Sequence, residues 1–415
     1  MPGQFAMGMY VSPEGDHAAR DTFEGTVDHQ GIHSRGVHGA TLLSWPRPRT
    51  AGRLRQGTAN VRLMLLAPEE GSPVVGASAA TFRLADPHRR LRAARVLDEI
   101  GLRGPLDMAY GSGEWRLRLP RPPVDRMEYL YEIEDRHGKR TTITDPANPR
   151  RAAGAFGEKS EARFPGYVPP AWLDWPQVGH AVVPFEPRAT VLGRPLTGSI
   201  WQPESLSYRE GAPLLVVHDG PEYATLGSFT NYLGAAIGAG ALPRLRAALL
   251  DPGDRNRWYA ANSDYASALA ATISSVVPAT VRIAVGLSLG GVAVLHAHRV
   301  FPELFDAMFL QSASFFTPAL DPQERHFSGF EEVTRFVAGL HAAGADERPV
   351  PAVLTCGAVE ENLANNRSMT ATLRRLGYPA ELVEVRDAHN YTAWRDALHP
   401  HLTALVSNLL ANRAA

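Results

Sequence analysis

The sequence predicts an α/β protein: a mainly parallel sheet covered by helices on both faces, preceded by a smaller β-sandwich. Three observations carry this. Strand and helix patterns alternate after residue 180, alternating apolar strands fill much of residues 60–145, and a Pro-rich stretch separates the two regions. The 415 residues also exceed what one hydrophobic core comfortably serves, so two domains are expected.

In chain order, residues 1–58 are rich in Gly, His, Arg and Pro and weakly periodic, whereas Asn60 to Ala67 is a uniformly apolar strand candidate. In Glu114–Leu119, Trp115, Leu117 and Leu119 point one way and the charges the other. In Met127–Glu134, period two puts Met127, Tyr129, Tyr131 and Ile133 on one face. Such half-buried strands with few helices predict a small sandwich of Ig-like or early-set-like type over residues 1–150. Prolines then recur in Asp-Pro-Ala-Asn-Pro, Phe-Pro-Gly and Pro-Pro-Ala-Trp, which predicts an ordered, irregular linker over 151–180. Beyond it, strands are expected near 198–202, 213–218, 247–250, 281–286, 307–310, 351–356 and 381–385. Helices are expected near 229–239, 262–276, 289–300, 328–343, 361–376 and 391–411, so that 181–415 forms the α/β domain.

Composition narrows the function. A formal net charge of −1 argues against a nucleic-acid partner. Apolar runs are short and interrupted, so no bilayer span is expected. The amino terminus lacks the basic and apolar regions of a secretory signal, and the expected location is the cytoplasm. Cys356 is the single cysteine, which excludes an internal disulfide and a cysteine zinc site. It is read as a small buried residue closing a strand. His29, His33 and His38 read as solvated loop histidines, and no metal or cofactor is expected.

In an α/β sheet, chemistry gathers at the carboxyl ends of the strands. There the strand Val281–Val285 runs into Gly286-Leu287-Ser288-Leu289-Gly290-Gly291 and then a helix, which is G-x-S-x-G in the strand–turn–helix setting of a nucleophile elbow. The serine hydroxyl needs a histidine to take its proton. Among the histidines after Ser288, His389 alone directly follows a strand, in Arg386-Asp387-Ala388-His389-Asn390. The acid belongs after the preceding strand, where Gly357 leads to Glu360 and Glu361. Either fits, and Glu360 suits the usual loop length better. An oxyanion hole would take the N–H of Leu289 and a second one from Asp219-Gly220-Pro221-Glu222. Pro221 has none, so Gly220 is the choice, with Glu222 or a neighbour as the alternative. The fold class expected is therefore the α/β-hydrolase.

With these residues in place, the chain resembles the enterochelin esterase family, a branch of the esterase-D-like α/β-hydrolases. The likeness rests on Asp219-Gly220, Gly286 to Gly291, Leu310-Gln311-Ser312-Ala313-Ser314-Phe315, Gly357 to Asn366, and Asp387-Ala388-His389-Asn390 with Trp394-Arg395. Asp145-Pro146-Ala147-Asn148-Pro149 is similar to that family's interdomain segment. The resemblance implies hydrolysis of a tri-catecholate trilactone siderophore, usually iron-loaded, by Ser288 and His389 through an acyl-enzyme. It also implies that the amino-terminal β-domain covers and shapes the cleft. An anionic ferric catecholate would want arginine and aromatic contacts, which makes Arg257 and Trp258, in Arg255-Asn256-Arg257-Trp258-Tyr259, the substrate-binding candidates. The alternatives are an esterase or acyltransferase acting on another aryl or acyl ester or natural-product lactone, and a non-catalytic binding protein.

Overall fold

A computed structural model describes residues 71–185 and 190–414. The strand expected at 60–67 and the histidines His29, His33 and His38 lie outside the described residues. All described residues belong to one compact unit.

Nine strands come first: β1 (Val74–Val75), β2 (Ala79–Ala85), β3 (Leu91–Asp98), β4 (Ala109–Gly111), β5 (Glu114–Pro120), β6 (Arg126–Asp135), β7 (Arg140–Ile143), β8 (Arg151–Ala152) and β9 (Lys159–Arg163). They form a sheet in the order β1-β2-β5-β4 and a second in the order β3-β6-β9-β8, with β7 paired to β6. The sheets meet through Phe82 and Tyr129, whose rings make an edge contact at 4.9 Å, and through Tyr131, whose hydroxyl donates to the Arg83 carbonyl. Buried Asp145 accepts from both tyrosine hydroxyls. Period two in β6 does put Met127, Tyr129, Tyr131 and Ile133 inside. At the start of the strand, however, Arg126 and Glu128 on the opposite face are buried as well. The Pro-rich segment is not all linker, because β8 and β9 fall within it and extend the second sheet.

The large sheet contains β10 (His180–Pro184), β11 (Gly198–Pro203), β12 (Ala212–Val217), β13 (Arg246–Leu250), β14 (Ala279–Leu287), β15 (Ala307–Gln311), β16 (Ala352–Gly357) and β17 (Ala380–Val385). Its order is β10-β11-β13-β12-β14-β15-β16-β17. β11 is antiparallel to both neighbours and the pairs from β13 onward are parallel, the α/β-hydrolase arrangement. β10 was not legible because Val182 and Val183 lie exposed at the sheet edge, so no buried face marks it.

Successive residues of each central strand enter opposite cores. Leu214 and Val216 pack beneath α4 (Ser263–Val276), α5 (Leu289–Val300), α6 (Phe330–Ala342) and α7 (Leu363–Arg375). Leu215 and Val217 pack on the other face with α2 (Phe229–Gly238), α8 (Tyr391–Asp396) and α9 (Thr403–Ala414). Two shorter helices, α1 (Gly220–Leu226) and α3 (Arg255–Trp258), follow β12 and β13. The single helix expected over 391–411 is broken: His399, before Pro400, has φ −111 and ψ 130. A residue preceding proline is pushed out of the helical region, and α8 and α9 flank that break.

Two substitutions weigh this account. Leu215→Ala should lower the unfolding free energy by about 2–5 kcal/mol, because it empties a filled core position. Val183→Ala at the exposed edge should stay within about 0.5 kcal/mol. Urea denaturation of both variants checks the contrast.

Candidate active site

Because the strands are parallel, the turns after β12, β13, β14, β15, β16 and β17 open on one edge of the sheet. Ser288 is the only residue between β14 and α5 and has φ 52 and ψ −120, a region L residues rarely occupy. The turn closes so tightly that a methyl group on Gly286 would overlap the Gly290 carbonyl. Ser288 N–H donates to the Gln311 carbonyl at 2.8 Å, and its Oγ shares a hydrogen bond with Ser314 Oγ at 3.1 Å. α5 begins at Leu289 and points its free first-turn N–H groups at the same edge.

Glu360 follows β16 and His389 follows β17. Their side chains meet, with His389 Nδ1 at 2.8 Å from Glu360 Oε2. An Nδ1–H held this way leaves Nε2 free to accept a proton. The carboxylate is 1% exposed and the imidazole 17%. The other oxygen of Glu360 accepts from Gly357 N–H and from Ser312 Oγ, both at 2.7 Å, and Ser312 Oγ in turn accepts from Trp394 Nε1 at 2.9 Å. The His389 ring stands edge-on to Trp394 at 4.9 Å. Between the two acids left open by the sequence, Glu360 bonds the imidazole, whereas exposed Glu361 bonds Gln323. A Cβ on Gly357 would overlap the Asp387 carbonyl and stand 2.6 Å from Glu360 Oε1, so the glycine lets the two loops meet. Cys356 is buried beside Glu360, and burial together with that carboxylate holds its thiol well above the usual range. Glu324 is pushed up to about 7 by burial and by the charges of Glu361 and Asp321.

Gly220 opens α1 and presses on β13, where an added Cβ would come within 2.5 Å of Leu249 Cα. The residue before it, Asp219, is left-handed with φ 52 and ψ 40. Arg255 clamps it through two hydrogen bonds, Nε to Oδ1 at 2.8 Å and Nη2 to Oδ2 at 2.9 Å. His218 is fully buried between Tyr259 and Tyr265, and burial lowers its pKa to about 4.

The structure separates the two substrate-contact candidates. Trp258 is 4% exposed and packs in the core, with its ring stacked on Tyr265 and covered by the Arg194 guanidinium at 4.8 Å. It is not open to a ligand, because the short α3 turns its apolar side inward. Arg257 is exposed and lines an open groove of about 550 Å³ with Asn262, Ser328 and Glu332. Ser312, in the Gln-Ser-Ala-Ser run after β15, and Arg255, two residues before Arg257, join the site without having been singled out in the sequence. Arg126 carried no signal beyond a charge in an alternating strand. Among the described residues no cluster of His, Cys, Asp and Glu is arranged to hold a metal ion, and no helix is long and apolar enough to cross a membrane.

Gly357→Ala should cost about 1–3 kcal/mol in denaturant unfolding, because backbone and carboxylate occupy the space of the new methyl. His218 supplies a pH test. Its folded value of about 4 lies below the 6.5 of a free imidazole, so the neutral ring's contribution is complete above pH 6.5 and lost as pH falls towards 4. At about 1.4 kcal/mol per unit, roughly 3 kcal/mol is at stake. His218→Gln should therefore show a shallower loss of thermal stability between pH 6.5 and 4 than the parent protein.

The profile of the Esterase family matches residues 189–405, more than half of the chain. No curated protein sequence matches. Among solved structures, the ferric enterobactin esterase of Salmonella typhimurium superposes with a TM-score of 0.66 at 20% identity, covering 84% of this chain and 97% of that one. The enterobactin esterase of Shigella flexneri, determined in the presence of enterobactin, gives a TM-score of 0.64 at 19% identity, covering 83% and 96%. At such identities the likeness bears on the fold, which matches the expected architecture including the β-rich region. The match over more than half of the chain shows the family: the chain belongs to the Esterase family, carboxylic ester hydrolases built on the α/β-hydrolase fold.

Proposed function

We propose that the protein is a serine esterase that opens the trilactone of a catecholate siderophore, taken up iron-loaded, and so releases iron in the cytoplasm. The observation that carries the mechanism is the 2.8 Å bond from His389 Nδ1 to Glu360, on the edge that also presents the strained Ser288. His389 Nε2 takes the proton of Ser288 Oγ, which leaves Ser314 and attacks the ester carbonyl. The N–H groups of Leu289 and Gly220 stabilise the oxyanion. As the C–O bond breaks, His389 returns the proton to the leaving alkoxide and an acyl-Ser288 remains. Water, deprotonated by His389, then attacks the acyl group, and as the bond to Oγ breaks His389 returns the proton to Ser288, freeing the serine and the acid. Glu360 fixes the imidazole tautomer and stabilises its protonated form.

The siderophore reading draws on the likeness to the Salmonella and Shigella enzymes over more than four-fifths of the chain, which spans the β-rich region as well as the hydrolase sheet. In the same reading, the β-rich region, with β8 and β9 included, covers the cleft, and 181–415 carry the catalysis, with Arg257 facing the anionic substrate. The burial of Trp258 removes one of the two contacts expected for a catecholate. That favours, as a second reading, hydrolysis of another aryl or acyl ester or a natural-product lactone.

Ser288→Ala should abolish hydrolysis of every ester, and Glu360→Gln should lower kcat by about a hundredfold or more while Glu361→Gln changes little. Incubation with ferric and iron-free tri-catecholate trilactones and with simple aryl esters, followed by mass spectrometry, tests the substrate. Turnover of aryl esters without opening of any trilactone would reject the siderophore assignment.

A further inference from the structure

The His389 loop is held from outside its own sheet. Arg126, the first residue of β6 in the β-rich region, is 0% exposed and carries its guanidinium to the loop after β17. Its Nε pairs with Asp387 Oδ2 at 2.7 Å, and its Nη2 donates to Asn390 Oδ1. One planar group thus grips the residue two before His389 and the residue directly after it. Neither partner is idle. Asp387 Oδ1 accepts from Ala388 N–H at 2.7 Å and from Asn390 Nδ2 at 3.3 Å, and Asn390 Oδ1 caps α8 by accepting from Ala393 N–H at 2.9 Å. The other side of the guanidinium is anchored in the β-rich region, with Nη2 to Glu128 at 2.9 Å and Nη1 to Glu161 at 3.5 Å. Lys159 lies 3.7 Å from the second oxygen of Glu128. A backbone bond from Asp125 N–H to the Arg386 carbonyl, 2.8 Å long, runs alongside.

We propose that Arg126 is a positioning residue for ester hydrolysis: it fixes both flanks of His389 and makes the β-rich region part of the catalytic framework. The inference rests on the reading of His389 as the base. The geometry favours an arginine because a rigid fork can serve Asp387, Asn390 and the two glutamates at once, whereas a lysine ammonium is a single point. The imidazole is bonded to Glu360 on one edge, so in the proposed mechanism a tilt of the 387–390 segment would misalign Nε2 for proton transfer from Ser288. Misplacement of that order lowers the rate of proton transfer far more than it lowers substrate binding.

The test uses the full chain and p-nitrophenyl butyrate, a small ester. Asp387→Asn, Arg126→Lys and the double variant are assayed for kcat and KM, with active sites counted by fluorophosphonate titration taken to its endpoint. The expected result is a loss in kcat per titrated site of about fivefold or more in each single variant with KM within about twofold, and a double variant no slower than the slower single one. A purely structural role would lower the thermal midpoint and the titrated fraction but leave kcat per site unchanged. That result, a smaller loss, or losses that multiply in the double variant would overturn the proposal. If Arg126→Lys does not fold, Asp387→Asn decides alone. Ser288→Ala is assayed beside them. If it keeps turnover, the reading of the active site falls and takes this inference with it. If it is inactive while Asp387→Asn keeps its kcat, this inference alone falls.

Discussion

The carboxylate of Glu360 is the point on which the carboxyl edge of the large sheet depends. Three donors converge on it: the Gly357 amide, the Ser312 hydroxyl and His389 Nδ1. A carboxylate buried to 1% exposure needs such partners, because an unpaired buried charge is costly. Each donor comes from a different strand end, since Gly357 closes β16, Ser312 follows β15 and His389 follows β17. Satisfying one charge therefore sets the relative position of three loops. The arrangement is possible only because Gly357 has no Cβ, which would overlap the Asp387 carbonyl on one side and crowd the carboxylate on the other.

The same edge holds backbone strain. Asp219, Ser288 and Ser312, at the ends of β12, β14 and β15, all have positive φ near 50°. Non-glycine residues hold such conformations only where their surroundings over-determine them, at about 1–3 kcal/mol each. Here the restraints can be named. Arg255 clamps the Asp219 side chain, the Gln311 carbonyl holds the Ser288 amide, and the Thr355 carbonyl holds the Ser312 amide at 2.7 Å. Side chains buried beneath the edge complete the support. Gln311 takes the Tyr223 hydroxyl and donates to the Trp394 carbonyl at 3.0 Å, which ties β15 to α8.

What the sequence discloses follows sequence distance. The β14–Ser288–α5 elbow is legible because strand, turn and helix are contiguous, and His389 because a strand runs directly into it. Glu360 is legible as one of two acids, since loop length favours it but only the bond to the imidazole separates it from Glu361. The break at His399 lies in the following proline, although the apolar periodicity of 391–411 runs across it. Trp258 misled because its place after β13 fits a cleft residue, while burial depends on where α3 packs. Arg126 could not be found at all: its partners Asp387 and Asn390 lie more than 250 positions away, and an arginine in an alternating strand normally reads as solvent-facing.

That last residue also shows why burial and charge should not be read simply as stability. Around Arg126 stand three carboxylates, from Glu128, Glu161 and Asp387, while Lys159 beside Glu128 and Arg163 beside Glu161 add positive charge at the rim. Burial outweighs the guanidinium at Asp387 and raises its carboxyl to about 6, so ionising it costs free energy in the folded state. Buried ion clusters of this kind are weak contributors to folding, and apolar packing of equal volume would serve as well or better. Apolar packing, however, has no direction. A guanidinium fork paired with Asp387 and donating to Asn390 fixes the turn that carries His389 in both rotation and height, which is what the proposed role of His389 as base requires. The cost at the contact between β6 and the β17 loop is therefore best understood as specification of position, of the same kind as the strain carried at Asp219, Ser288 and Ser312.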